Sequence, residues 1–153
     1  MLDIHTPAPA FALPDQAGNI VKLSDFKGQK VVLYFYPKDN TPGCTKEACA
    51  FASAYNGFKE KNVTVIGISK DSVKSHQKFA DKFQLPFLIL ADPDLEAIQA
   101  YDVWKEKKLY GRTYMGILRS TYLIDEDGII QHVYEKVDPT THAQTILEDL
   151  KNI

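Results

Sequence analysis

The chain has 153 residues and a net charge of −2, from 18 basic and 20 acidic side chains. Hydrophobic residues at 44% and charged residues at 25% are globular values, which excludes disordered and fibrous classes. The balanced charge gives no electrostatic reason for a nucleic-acid or anionic-membrane partner, and two cysteines, Cys44 and Cys49, are too few for a disulfide scaffold or a four-cysteine zinc site.

The chain opens Met-Leu-Asp-Ile-His, with neither the basic nor the long apolar region of a secretory signal. Its longest apolar run, Val31 to Tyr36, falls far short of the roughly 18 residues that span a bilayer. A soluble, cytoplasmic protein is expected. No repeat or Pro/Gly/Ser-rich linker divides the chain, so residues 1–153 read as a single domain.

In chain order, Asp15-Gln16-Ala17-Gly18-Asn19 is a turn between short alternating runs and predicts a peripheral N-terminal β-hairpin. Lys30 to Tyr36 is near-continuously apolar, as a strand buried on both faces reads. From Pro42 to about Lys61 the pattern is helical, with Cys44, Ala48, Phe51, Tyr55 and Phe58 along one stripe. Val63 to Ser69 is a second buried strand, and Asp71 or Ser72 caps a helix reaching Phe83. Phe87 to Leu90 is a third strand, and Asp92-Pro93 opens a helix through Tyr101. Val103 to Gly116 reads as a loop. Arg119 to Ile124 and Ile129 to Tyr134 pair across Asp125-Glu126-Asp127-Gly128, and Pro139 to Lys151 is a closing helix. Crossover helices between early strands demand parallel pairing, and the late hairpin adds an antiparallel part. The fold class is therefore α/β: a mixed central sheet flanked by helices, with a thioredoxin-like arrangement as the best candidate.

The segment from Pro37 to Cys49 joins a buried strand to a helix, the place where open α/β sheets bind ligands. Thr41 suits the N-cap and Pro42 the first helical position, which puts Cys44 in the first turn. Unpaired backbone N–H groups and the helix dipole there favour a thiolate, the nucleophilic form. A core cysteine acting as a small hydrophobe is the bland alternative; the helix-start position, the adjoining Pro-Gly and a second nearby cysteine weigh against it. Cys49 lies five residues on, about 140° around an intact helix and roughly 8–9 Å away between Cα atoms. A disulfide needs less than about 7 Å. Either the two never pair, or the first turns unwind when they do. No thioredoxin-type C-x-x-C is present, and His5, His76, His132 and His142 are scattered without ligand spacing, so no metal is expected.

Tyr36-Pro37-Lys38-Asp39-Asn40-Thr41-Pro42-Gly43-Cys44-Thr45 resembles the peroxiredoxin active site, Pro-x-x-x-Thr-x-x-Cys. The Gly-Cys-Thr with a cysteine five residues later is similar to the peroxiredoxin Q subgroup, also called bacterioferritin comigratory protein, of atypical two-cysteine type. The resemblance continues through Asn19 to Gly28, Gly67-Ile68-Ser69, Arg119 to Asp125 and the last helix. It implies that Cys44 is the peroxidatic and Cys49 the resolving cysteine, that Thr41 holds the peroxide, that Pro37 shields the thiolate, and that Arg119 is the active-site arginine. It further implies a peroxide substrate, recycling by thioredoxin or a similar dithiol reductant, no cofactor, and a monomer or weak dimer.

Composition supports Arg119 independently. It is one of only two arginines, with Arg112, among 16 lysines, and it opens an apolar strand, where a cation needs a partner. Glu47, one turn after Cys44, either orients Arg119 or is an ordinary first-turn carboxylate. Arg112, in the loop, is expected to be solvated, and Trp104, Tyr110 and Tyr114 of that loop either line the entrance or pack on the core. A protein thiol–disulfide oxidoreductase and a peroxide sensor without bulk turnover remain the rival readings.

Overall fold

The computed structural model describes residues 1–153. In chain order it contains β1 (Ala12–Pro14), β2 (Ile20–Lys22), β3 (Lys30–Phe35), α1 (Pro42–Ser53), α2 (Tyr55–Glu60), β4 (Val63–Ser69), α3 (Val73–Phe83) and β5 (Leu88–Ala91). There follow α4 (Glu96–Ala100), β6 (Trp104–Leu109), β7 (Arg112–Ile117), β8 (Ser120–Ile124), β9 (Ile130–Glu135) and α5 (His142–Lys151). The central sheet has the order β5-β4-β3-β8-β9, parallel from β5 to β3 and antiparallel from β3 to β9. This is the mixed, helix-flanked sheet expected from the sequence, with the N-terminal hairpin β1–β2 beside it. No helix is long and apolar enough to cross a membrane.

The continuous apolar run of β3 follows from its central place. Val32, Tyr34 and Tyr36 face a core shared with Phe51, Phe58, Phe79 and Ile146. Val31, Leu33 and Phe35 face a second core with Ile66, Ile98, Tyr101 and Tyr122. Both faces are dry, so period-two alternation has no polar side to display. Gly67 is needed opposite Tyr34: a Cβ there would lie 2.8 Å from the ring, which stacks on Phe51 at 4.6 Å.

Three segments depart from the sequence reading. The single helix expected from Pro42 to Lys61 is broken at Ala54, whose N–H is shared between Ala50 O and Ala52 O. The break lets Gly57 of α2 seat against Leu147 of α5, with 3.2 Å from a would-be Cβ to that side chain. The helix expected from Asp92-Pro93 starts only at Glu96, because Leu95 is left-handed (φ 60°) and Asp92 caps from a distance, its carboxylate accepting from Glu96 N and Ile98 N at 2.8 Å each. The loop expected over Val103–Gly116 is a β-ribbon, β6 pairing antiparallel with β7 around Tyr110-Gly111. Both turn residues have positive φ, 51° and 77°, as a tight hairpin turn requires.

Candidate active site

β3 ends at Phe35, and the chain crosses from Tyr36 to Thr41 into α1. That loop is held from beneath by a buried polar network. Asp39 is 7% exposed; one of its carboxylate oxygens accepts from Tyr36 Oη at 2.6 Å, and the other from Ser75 Oγ at 2.8 Å. The second oxygen also meets His76 Nδ1 at 2.6 Å, while His76 Nε2 lies 2.9 Å from Leu90 O. A backbone carbonyl only accepts, so Nε2 carries a hydrogen. Asp71 adds a strut, accepting from Asp39 N at 2.8 Å and Ser69 Oγ at 2.7 Å. The sequence offers no task for Asp39 or His76 and only a capping one for Asp71; the cap of α3 is instead Ser72, whose Oγ accepts from Ser75 N at 3.1 Å. His76 and His142 are satisfied core histidines: His142 Nε2 lies 2.7 Å from Thr121 Oγ1.

On this platform α1 begins with Thr41 in the N-cap position, Pro42 first in the helix and Cys44 in the opening turn. The Thr41 hydroxyl makes no cap bond; it donates to Lys38 O at 2.9 Å and tightens the loop. Cys44 is 2% exposed, Cys49 is half-buried, and both are free thiols. Pro37 is half-buried at the loop's start.

Arg119 reaches across from just before β8. Its Nη2 donates to Cys44 Sγ at 3.3 Å and its Nη1 to Glu47 Oε1 at 2.8 Å. The approach depends on Gly43, where a Cβ would stand 3.0 Å from Nη2. A planar fork with five donors can serve sulfur and carboxylate together; an ammonium cannot reproduce that geometry. Glu47 is fully buried, and burial pushes its carboxyl up to about 7 while the Arg119 charge pulls it back. Its Oε2 and the nearby Tyr34 hydroxyl have no hydrogen-bond partner. Of the two sequence options, Glu47 is therefore an orienting partner of Arg119 and not an ordinary first-turn carboxylate.

Lys107 of β6 also belongs to these surroundings, and nothing in its local sequence marked it. Burial and the Arg119 charge hold its ammonium below the usual lysine range, and charge at Cys44 opposes them. Arg112 is exposed, as expected; Tyr110 is 97% exposed and Tyr114 47%, so neither packs on the core.

A buried, first-turn cysteine facing a fixed guanidinium at the carboxyl end of a central strand has the geometry that thiol-based redox chemistry requires. Comparisons with known proteins identify the family. The model of the AhpC/TSA family matches residues 4–133. The chain is 47% identical over 152 residues to peroxiredoxin Bcp of Bacillus subtilis, covering 99% of this chain and 97% of that protein. To peroxiredoxin Bcp of Escherichia coli it is 44% identical over 144 residues, 94% and 92% of the two chains. Among solved structures, a cysteine-to-serine mutant of Xylella fastidiosa PrxQ superposes with a TM-score of 0.94 at 37% identity, covering 99% and 97% of the two chains. A Xanthomonas campestris bacterioferritin comigratory protein, studied for alkyl peroxide reduction, gives 0.91 at 36% identity, covering 98% of each chain. The chain belongs to the AhpC/TSA family and, within it, to the peroxiredoxins of the Bcp, or peroxiredoxin Q, type.

Proposed function

We propose that this thiol-dependent peroxidase works through Cys44 as peroxidatic and Cys49 as resolving cysteine, reducing hydrogen peroxide and organic hydroperoxides. The observation that carries the reading is the 3.3 Å bond from Arg119 Nη2 to Cys44 Sγ at the first turn of α1. Negative charge on that sulfur is stabilised by the guanidinium and by the unpaired N–H groups of the helix start. The thiolate attacks one peroxide oxygen in line with the O–O bond. That bond breaks, the sulfur becomes a sulfenic acid, and the departing oxygen leaves as water or alcohol after taking a proton. Thr41 turns its hydroxyl from Lys38 O to the substrate, and Arg119 takes up the charge that develops on the oxygens. Pro37 walls the pocket against water.

Cys49 then attacks the sulfenic sulfur, water leaves, and an intramolecular disulfide forms. Because the two cysteines are five residues apart on α1, the first turns of that helix unwind in this step. Local opening of a helix end is inexpensive compared with global unfolding. Thioredoxin or a related dithiol restores both thiols by exchange. The two buried cores lie on the two faces of one five-stranded sheet, which supports a single domain over residues 1–153, and the chain acts as a monomer or weak dimer. Dependence on a dithiol reductant fits the cytoplasm.

Cys44→Ser should abolish peroxide consumption, and retention of full activity overturns the assignment. Cys49→Ser should keep the first, single-turnover reaction with peroxide but lose thioredoxin-linked cycling. Unimpaired cycling removes Cys49 from its role. A peroxide sensor, by contrast, would show the first reaction in the wild type without multiple turnovers.

A further inference from the structure

The β6–β7 ribbon pairs with no other strand. It carries Leu109 (56% exposed), Tyr110 (97%), Tyr114 (47%) and Met115 (49%), four of the seven large hydrophobic side chains left exposed in the chain. Scattered single apolar residues on a surface need no explanation, but a cluster confined to one projecting element does. Tyr110 is the sharpest case. A tight hairpin turn with positive φ at both central residues favours Asn, Asp or Gly, yet the ribbon places a tyrosine at φ 51° with its ring in solvent. The fold gains no packing from that ring.

Charge marks the same element. Lys105, Lys107, Lys108 and Arg112 stand against one carboxylate of the ribbon, Glu106, and only Lys105 is paired, with Asp102 at 2.6 Å, in a chain whose net charge is −2. The rest of the molecule therefore carries an acid excess, and the ribbon is its cationic projection. The ribbon also adjoins the thiol pocket. Lys107 packs onto Gly116, its Cδ 3.1 Å from where a Cβ would stand, and Arg119 follows two residues after β7 ends at Ile117. Any protein that reduces a disulfide at Cys44 must bring its own sulfur to that place. A standard interface covers roughly 800 Å² per partner, so its footprint extends beyond the sulfurs onto neighbouring surface.

We propose that the β6–β7 ribbon is the docking surface for the dithiol protein that reduces the Cys44–Cys49 disulfide, and that this partner presents an acidic rim around an apolar floor. The inference rests on the two-cysteine reading above. Leu109, Tyr110 and Tyr114 meet the apolar floor, while Lys108 and Arg112 meet the rim and steer the encounter. One partner thiolate attacks Cys49 Sγ, which belongs to the less buried of the two residues in the reduced fold. The Cys44–Cys49 bond breaks, a mixed disulfide forms, and Cys44 leaves as a thiolate. The second partner thiol displaces Cys49. The partner is oxidised by two electrons to its disulfide, and its two protons end on the two cysteines of this chain.

Thioredoxin is the probe, compared with dithiothreitol, a reductant too small to use a docking surface. In steady-state peroxidase assays, the double variant Lys108→Glu/Arg112→Glu should raise KM for thioredoxin about tenfold or more, and Tyr110→Ser should raise it severalfold. Activity supported by dithiothreitol should stay at the wild-type level in both. For the wild type, KM for thioredoxin should rise with salt, as screening weakens the attraction. An unchanged KM for thioredoxin in both variants overturns the inference, as does an equal loss with either reductant. A change in sedimentation of the chain alone on Tyr110→Ser also overturns it, because the ribbon would then join two copies of the protein. If peroxide-treated wild type forms no Cys44–Cys49 disulfide, it is the two-cysteine reading that fails, whatever the variants do.

Discussion

The loop from Tyr36 to Cys44 and the ribbon from Trp104 to Ile117 flank the same thiol and are built on opposite principles. In the loop, the Asp39 carboxylate and the His76 ring are buried and bonded at 2.6–2.9 Å, and Arg119 is fixed between Cys44 and Glu47. In the ribbon, most side chains past Lys105 are exposed, and the strands bond only each other. Buried polar groups are costly to leave unsatisfied and so define one geometry, while exposed groups cost the fold little and are free to meet a partner. Chemistry that depends on tenths of an ångström sits on the first; recognition that tolerates adjustment suits the second.

The largest effect should come from removing the loop's anchor. Asp39→Ala leaves His76, Ser75 and Tyr36 without their shared acceptor in a dry site. Leaving a buried donor without an acceptor typically costs about 1–3 kcal/mol, so three together should cost about 3 kcal/mol or more. Denaturant unfolding should show a loss in this range, and Asp39→Asn should recover part of it by accepting some of the same bonds. If the contrast between the regions holds, no substitution at Tyr110 or Lys108 approaches this cost. Surface changes of that kind stay within about 0.5 kcal/mol. A loss below about 1 kcal/mol for Asp39→Ala would mean that the network is not what sets the loop.

Next in size is Arg119→Lys, which keeps the charge but discards the fork. Single donors to developing negative charge are worth about 10²–10³ in rate. With the charge retained, a loss of about 10- to 100-fold in the second-order rate with peroxide is expected, read by stopped-flow on reduced protein. Reduction of the preformed disulfide by thioredoxin should change far less, which would separate the rigid region from the adaptable one in a single variant.

What could be read in advance follows the same division. Pro37, Thr41 and Cys44 stand at fixed short spacings where a strand meets a helix, so local sequence carries their arrangement. Arg119 lies 75 residues beyond Cys44, but an arginine at the mouth of an apolar strand is conspicuous in a chain that otherwise uses lysine. The Asp39–His76 contact leaves no such trace. It spans 37 residues and exists only because α3, which connects the parallel strands β4 and β5, packs against β5. The ribbon hides from the sequence for a different reason. Strand patterns show as alternation only when one face is buried, and Trp-Lys-Glu-Lys-Lys-Leu has little of itself to bury. Its turn, Tyr110-Gly111, also lies outside the Asn-Gly and Asp-Gly pairs that signal a hairpin.

The smallest expected effect concerns pH and separates two buried groups next to Arg119. His142 is pushed down to about 4, by burial first and then by the Arg119 charge. The unfolded chain binds this proton near 6.5, the native one only near 4, so stability should fall as pH drops through that window. Glu47 is shifted up to about 7 by burial against an ordinary value of 4.5. Here the native state holds the proton longer, so its contribution to stability falls as pH rises from about 4.5 to 7. At 1.36 kcal/mol per pH unit, a shift of about 2.5 units sets an upper limit of about 3 kcal/mol on each swing, spread gradually over more than two pH units. Urea midpoints measured against pH should therefore lose their acid-side fall in His142→Asn and their decline toward neutrality in Glu47→Gln. Lys108→Glu/Arg112→Glu, on the exposed ribbon, should leave both slopes unchanged. If the ribbon variant flattened either slope, the two regions would be energetically coupled, and the fixed site could not be treated as independent of its adaptable neighbour.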